Sequence, residues 1–325
     1  IMAYDVILSF YINQPLLFHI TVIVVSMFLL AKASSLTVLG ISNYAKKVGI
    51  SEYFTGLIIV AIAASVPEFL ASLSGVVFGE PDVVFATIFG SNLIGLTLVM
   101  GIFAVVGKKL IAHEKVFEST KWDIIILTAL PFILLADGAL RRLDGIILIL
   151  SYVAYMYILW KRQGETGTLK KNVPLSLIYQ DGLIFVLSLV TVFISSTFLV
   201  SSSLTIATIL QISPFITTLV IIGLGAQVPD LFLGIQAMLK GHSAVALGDI
   251  IGSMTTKSLL FLGIFAVIKD LQFSVQNTFF TGAMTVLTTI LLFIFVRDKS
   301  ITSRQGWYLI ILYFFFMAVQ LLAFA

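Results

Sequence analysis

The chain contains no cysteine, so disulfides and thiolate metal sites are excluded from its chemistry. Its three histidines, His19, His113 and His242, are scattered and form no ligand cluster. Charge is scarce as well. Only 11% of the 325 residues are charged, 59% are hydrophobic, and the mean hydropathy is +1.12. A soluble domain of this length does not have that balance, whereas a polytopic membrane protein does. The alternating pattern of a β-barrel is missing, which leaves helices to satisfy the backbone in lipid. Ile1 to Ile12 lack a basic segment and are not expected to form a cleaved signal peptide. The net charge of +3 does not call for nucleic acid, because the basic residues lie in short loops where they set orientation.

Apolar runs between short polar breaks predict an all-α polytopic membrane protein of ten transmembrane helices. The spans fall near 16–43, 51–79, 83–108, 122–136, 142–161, 177–208, 214–240, 243–268, 276–296 and 304–325. The fourth is short for a ~30 Å hydrocarbon core and is expected to begin earlier. With the N-terminus outside, the inner loops hold fourteen of the nineteen basic residues, among them Lys46, Lys47, Lys161, Arg162, Lys170 and Lys171. The outer loops hold only Arg141, Arg142 and Lys269, and Lys32 and Lys257 fall inside spans. That bias supports both the count and the orientation. Lys32, in span one, reads as a side chain that snorkels or lines an entrance.

Two stretches of the chain, offset by 162, are copies of one another. Ala64-Ser65-Val66-Pro67-Glu68 corresponds to Ala226-Gln227-Val228-Pro229-Asp230, Ile50-Ser51 to Ile212-Ser213, and Gly90-Ser91 to Gly252-Ser253. The five residues 101–105 and 263–267 are identical. Spans one to five form the first copy, 1–162, and spans six to ten the second, 177–325. A polar linker, 163–176, joins them on the cytoplasmic side. Five is odd, so the copies are expected to cross the membrane in opposite senses, as two inverted five-helix repeats.

Pro67 and Pro229 lack an N–H and clash with the carbonyl four residues back, so each helix is expected to break just before its acid. Glu68 and Asp230 then stand at bilayer depth, where an ionisable side chain is costly and usually functional. The following span supplies a second wall. Helical spacing places Thr87, Ser91 and Gly95 on one face and Asp249, Ser253 and Lys257 on its counterpart. Gly90 and Gly252 are expected to permit close helix approach. Asn92, Thr255 and Thr256 point elsewhere and are expected only to bond backbone.

These residues resemble the calcium/cation antiporter superfamily, most closely the archaeal sodium/calcium exchangers. Their two inverted repeats read roughly G-T-S-x-P-E, followed by G-N-x-x-G-S-N-x-x-[N/D]. The similarity covers nearly the whole chain and includes the Asp137-Gly138…Asp144-Gly145 turn. It implies a midplane cation site between spans two, three, seven and eight, with alternating access. Carried over by position, Glu68 and Asp230 match the family carboxylates, and Ser65, Ser91 and Ser253 match hydroxyl ligands. The backbone at Ala63, Ala64, Gly225 and Ala226 would assist. The chain departs from the pattern at Ala64, Ala226, Gln227, Asp230, Gly95 and Lys257. Oxygen donors are lost and a cation is gained.

Calcium takes six to eight oxygen ligands. A divalent ion ~4 Å from an ammonium is repelled by about 8 kcal/mol at an effective dielectric near 20. Neutralising an ordinary lysine at pH 7 costs only about 4.6 kcal/mol. A calcium ion and a charged Lys257 should therefore not share the centre. Either the lysine loses its proton, or it swings away, or the site does not take calcium. Lys257 is read as an internal cation paired with Asp230, Glu68 or Asp249, against the plainer reading of a structural salt bridge to Asp249.

The implied function is secondary cation antiport, with Ca2+ or another cation exchanged for Na+ or H+. No cofactor is implied, and the partners are the lipid bilayer and inorganic cations. Gln227, Asp249, Gly95 and Lys257 would set selectivity. The protein is expected to be a multi-pass cell-membrane protein acting as a monomer. The alternative is a diverged relative in which Lys257 replaces the cation, binding another ligand or serving a non-transport role. An intramembrane enzyme using Glu68 and Asp230 as acid and base is a further class. No His, Cys or metal constellation supports it.

Overall fold

The computed structural model describes residues 15–48, 55–79, 81–107, 109–111, 115–164, 175–211, 227–273, 275–296 and 300–324. The Ile50-Ser51 and Ile212-Ser213 segments, most of the linker, and Gly225 and Ala226 lie outside them.

Helix α1 spans Pro15–Val48. It packs lengthwise on α9 (Leu175–Ile209). Gly40 brings the backbones together: a Cβ there would stand 3.0 Å from the Phe185 nitrogen. The Thr37 hydroxyl donates to Ser188 Oγ across the pair at 2.9 Å. The outer face of α1 exposes Val24 and Phe28, as a lipid-facing surface would.

Between these helices run the short segments that carry the site. They are a π turn (Gly56–Val60), α2 (Ala61–Ala64) and α3 (Val66–Phe78), then α4 (Pro81–Phe85), a second π turn (Ala86–Gly90), α5 (Ser91–Ile94), a third π turn (Gly95–Val99) and α6 (Met100–Val106). Strand β1 (Lys109–Ile111), α7 (Lys115–Leu134), β2 (Ala139–Leu140) and α8 (Arg142–Gly164) follow. After α9 come α10 (Val228–Leu239), α11 (Ser243–Thr255), a fourth π turn (Thr256–Phe261), α12 (Leu262–Ile268), β3 (Leu271–Gln272), α13 (Val275–Phe295), β4 (Ser300–Thr302) and α14 (Ser303–Phe324).

Six helices among the described residues are long and apolar enough to cross a membrane, within 16–44, 87–106, 142–161, 179–199, 243–268 and 278–295. Each falls on a predicted span. The helix over the fourth predicted span, α7, includes residues from Lys115 onward. Helices α8, to Gly164, and α9, from Leu175, flank the predicted linker.

Packing is reciprocal at the 162-residue offset. Strand β1 pairs antiparallel with β4, and β2 with β3. Helix α6 packs on α14 and its duplicate α12 packs on α8, each through facing glycines. A Cβ on Gly101 would stand 2.7 Å from the Gly306 carbonyl oxygen, and one on Gly263 2.9 Å from that of Gly145. Small residues of this kind let helix backbones approach in lipid. Phe103 lies over Gly234, while its counterpart Phe265 stacks on Phe69.

The turn before α8 is built from the Asp-Gly pair seen in the sequence. Gly138 sits at φ +81, and the Ala139 amide donates to Asp137 Oδ1 at 3.1 Å. That amide, with Arg141 at 3.0 Å, holds the Asp137 carboxyl below its usual range. The Arg141 amide donates to Asp144 Oδ2 at 2.9 Å, capping the start of α8. Gly138→Ala is expected to lower the thermal unfolding midpoint in detergent. A left-handed conformation costs a non-glycine residue about 1–2 kcal/mol, and the new Cβ would meet Val275 Cγ2 at 2.8 Å. An unchanged midpoint would mean that the turn relaxes freely.

Candidate functional site

The predicted helix break is present in the first copy, whereas the residues before Gln227 in the second lie outside the described ones. Helix α2 ends at Ala64, Ser65 leaves helical geometry at ψ 2°, and α3 resumes with Pro67 in its first turn. In the second copy Gln227, at ψ −1°, precedes α10 with Pro229 in its first turn. Proline belongs there, since the amides of a first turn have no partner to lose. Glu68 and Asp230 stand at the N-terminal ends of α3 and α10, where the helix dipole favours negative charge. Both acids are buried.

The second wall is the segment from the Ala86–Gly90 π turn to the Gly95–Val99 π turn, with its counterpart α11 and the Thr256–Phe261 π turn. A π turn inserts a residue and re-aims the side chains that follow, and such turns are frequent at functional sites. Gly95 and Lys257, matched by the repeat offset, both lie in one. Thr87, at the position of Asp249, lies in another.

Lys257 is only 1% exposed, and its Nζ donates to Ser91 Oγ at 3.0 Å and stands 3.8 Å from Glu68 Oε1. This settles the partner that spacing alone left open, and it corrects the reading of a structural pair with Asp249. Asp249 Oδ1 and Asp230 Oδ2 are buried without a hydrogen-bond partner, as are Gln227 Nε2 and Asn92 Oδ1. The three acids and the lysine lie near enough to act on one another electrostatically. Among the described residues the close contacts of the lysine are with the first copy, while Asp230 Oδ2 and Asp249 Oδ1 make no hydrogen bond.

The serine hydroxyls are used in a particular way. Ser65 Oγ donates to the Ala61 carbonyl at 2.7 Å, Ser253 Oγ to that of Ile250 at 3.2 Å, and Ser91 Oγ to that of Thr87. With their protons committed to backbone, these oxygens keep lone pairs, which is what a cation ligand must offer. On Ser91 a lone pair is already taken by Lys257. Ala64 is buried at the end of α2, and Ala226, expected to offer a carbonyl, lies outside the described residues. Among the described residues no group of three His, Cys, Asp or Glu side chains could hold a metal ion, so a bound cation would also need hydroxyl and backbone oxygens.

Sequence reasoning missed two features. A Cβ on Gly95 would stand 3.2 Å from Gln227 Oε1, so the missing side chain at 95 makes room for the long one at 227. The losses at these two positions therefore compensate each other. Two bonds also brace the segment around Lys257: Asn92 Nδ2 donates to Ser258 Oγ at 2.7 Å, and Tyr152 Oη lies 3.2 Å from Thr256 Oγ1. Asn92 and Thr256 thus do more than bond their own backbone, whereas Thr255 does bond only Ile251 and Gly252 carbonyls. Of the two glycines expected at close approaches, Gly252 lies against Leu57, but a Cβ on Gly90 would meet nothing within 4 Å. Lys32 is exposed, its ammonium 5.8 Å from the Phe28 ring centroid.

The family model for the sodium/calcium exchanger protein matches residues 18–161 and 182–322, covering both sides of this site. The chain belongs to that family. A putative antiporter, CaxA of Alkalimonas amylolytica, is 30% identical over 255 residues, covering 76% of this chain and 79% of that protein. The sodium/calcium exchanger MaX1 of Methanosarcina acetivorans is 22% identical over 343 residues, covering 92% of this chain and 97% of that one. A solved structure of the sodium-calcium exchanger NCX_Mj superposes with a TM-score of 0.83 at 21% identity, over 93% of this chain and 99% of that chain. The fold is that of a membrane exchanger. Membership places the chain among transporters and not among enzymes.

Proposed function

We propose that this protein is a secondary active cation antiporter of the cell membrane, exchanging Ca2+ or another cation for Na+ or H+. Transport proceeds by alternating access at a midplane site. The chain forms ten spans in two inverted repeats, 1–162 and 177–325, joined by a cytoplasmic linker at 163–176, with the N-terminus outside. The reciprocal pairing of β1 with β4 and β2 with β3, at matched positions of the two copies, supports this arrangement. The protein acts as a monomer and needs no cofactor.

One observation carries the reading. Two buried acids, Glu68 and Asp230, stand at matched positions in the first turns of α3 and α10. Helix ends at repeat interfaces are where exchanged ions bind in transporters built from inverted repeats. Glu68 and Asp230 are assigned as primary ligands, with Ser65, Ser91, Ser253 and the backbone at Ala64 and Ala226. Gln227, Asp249, Gly95 and Lys257 tune which cation is taken.

The test is calcium uptake into proteoliposomes loaded with sodium and diluted into sodium-free medium. Uptake at least tenfold above that of vesicles without a gradient is expected. If sodium and proton gradients both fail to move calcium or any cation of a panel, antiport is the wrong function.

A further inference from the structure

The second copy differs from the first by two added charges on one helical segment. Asp249 stands where the first copy has Thr87, and Lys257 where it has Gly95. They do not form an ion pair with each other. Lys257 crosses to the first copy, to Glu68 at 3.8 Å and Ser91 at 3.0 Å. Asp249 keeps Oδ1 buried and unpartnered, and it lines a narrow cavity with Thr37, Val60, Leu233 and Gly234.

We infer that Lys257 is a tethered cation that permanently fills one cation's place beside Glu68, so that cargo is held on the Asp230–Asp249 side and exchange is electroneutral. The inference rests on the antiport reading above and narrows its ligand set, leaving Asp230 and Asp249 to the cargo and Glu68 and Ser91 to the lysine. Its logic is one of charge. Glu68, Asp230 and Asp249 carry three formal negative charges and Lys257 one positive, all buried in the centre of the protein. Uncompensated charge is costly in such surroundings, so the site crosses the membrane most easily when cargo supplies the missing balance. Two positive charges are missing. One divalent cation or two monovalent cations supply them equally, and exchanging one for the other moves no net charge. The open groups fit this division. Asp230 Oδ2 and Asp249 Oδ1 are without partners, whereas the oxygens of Glu68 and Ser91 already face an ammonium.

The experiment measures the calcium gradient at equilibrium in proteoliposomes of the full chain, driven by sodium, with voltage clamped by potassium and valinomycin. Wild type should settle at the same gradient, within about twofold, whether or not 100 mV is imposed. A cycle carrying one net charge would shift that gradient about fifty-fold per 100 mV. Lys257→Asn leaves three negative charges for cargo and should acquire the fifty-fold shift. Lys257→Asn combined with Asp249→Asn restores a deficit of two and should lose it again. The shift appearing in wild type overturns the inference while leaving antiport intact, and this arm stands even if the variants fail to assemble. Lys257→Asn that exchanges without a voltage shift overturns it as well. No sodium-coupled calcium movement in wild type overturns the inference, and the antiport reading falls with it only if proton gradients and the cation panel fail as well.

Discussion

Asp230→Asn is expected to abolish exchange, lowering sodium-driven calcium flux at least a hundredfold, while the protein still folds. The two effects separate because of how the acid is placed. Asp230 Oδ2 is buried and makes no hydrogen bond, and Lys257 makes its close contacts with Glu68 and Ser91, so replacing this acid strands no ammonium. An amide of the same shape removes a costly buried anion, and the unfolding midpoint should stay level or rise. A bound cation, by contrast, loses one of the two carboxylates left open to it. A hundredfold loss corresponds to about 2.7 kcal/mol, well inside the roughly 8 kcal/mol of attraction between a divalent ion and a carboxylate ~4 Å away. Glu68→Gln should behave differently. It also stops exchange, but it strands the Lys257 ammonium in a buried site, and breaking a buried pair in that way costs about 3–5 kcal/mol. Flux and midpoint should therefore fall together at Glu68 and part company at Asp230. Radiolabelled calcium uptake and thermal unfolding, run on the same two preparations, read both quantities. Flux retained in Asp230→Asn would remove that residue from the site.

Much of this was legible in the residues because the determining interactions are local or periodic. The break before Glu68 follows from proline chemistry within four residues, and Ser65 departs from helical geometry where that reasoning puts it. The repeat offset located Ser91, Ser253 and Lys257 together. The partner of Lys257 was not legible, for two reasons. Counting by fours assumes an unbroken α-helix, yet π turns occupy Ala86–Gly90, Gly95–Val99 and Thr256–Phe261, on both walls of the site. The deciding contacts also join residues 166 apart, as in Lys257 with Ser91 and Ser258 with Asn92, and no local pattern encodes them. The match of Gln227 to Gly95 is of the same kind. Each looked like a lost ligand when read along one copy, and only the fold brings the long side chain over the missing one.

Gly252→Leu should prevent the native helix packing outright, and Gly252→Ala should weaken it severely. A Cβ on Gly252 would lie 2.0 Å from the Leu57 carbonyl oxygen, 2.6 Å from its carbon and 2.7 Å from the Ala61 Cβ. Two of these three atoms are backbone, so no side-chain rotation can clear the space. Gly56 tightens the same seam from the other side, with its own hypothetical Cβ 2.4 Å from the Val245 carbonyl oxygen. In lipid such contacts are a main source of helix association, because apolar side chains gain little by leaving a solvent as apolar as themselves. Overpacking by a single methyl costs about 1–3 kcal/mol even where neighbours can yield. Here the segment that must yield is the π turn Gly56–Val60, which leads directly to the break at Ser65 and so to Glu68. The consequence reaches the site. Pushing α11 away from this turn moves Ser253 and Lys257 relative to Glu68, so Gly252→Ala should lose exchange along with stability. Gly90→Ala is the matched control, since a Cβ at Gly90 meets nothing within 4 Å. Size-exclusion profiles, unfolding midpoints and flux for the two alanine variants decide the matter, and equal behaviour of Gly252→Ala and Gly90→Ala would show that this seam does not hold the site in place.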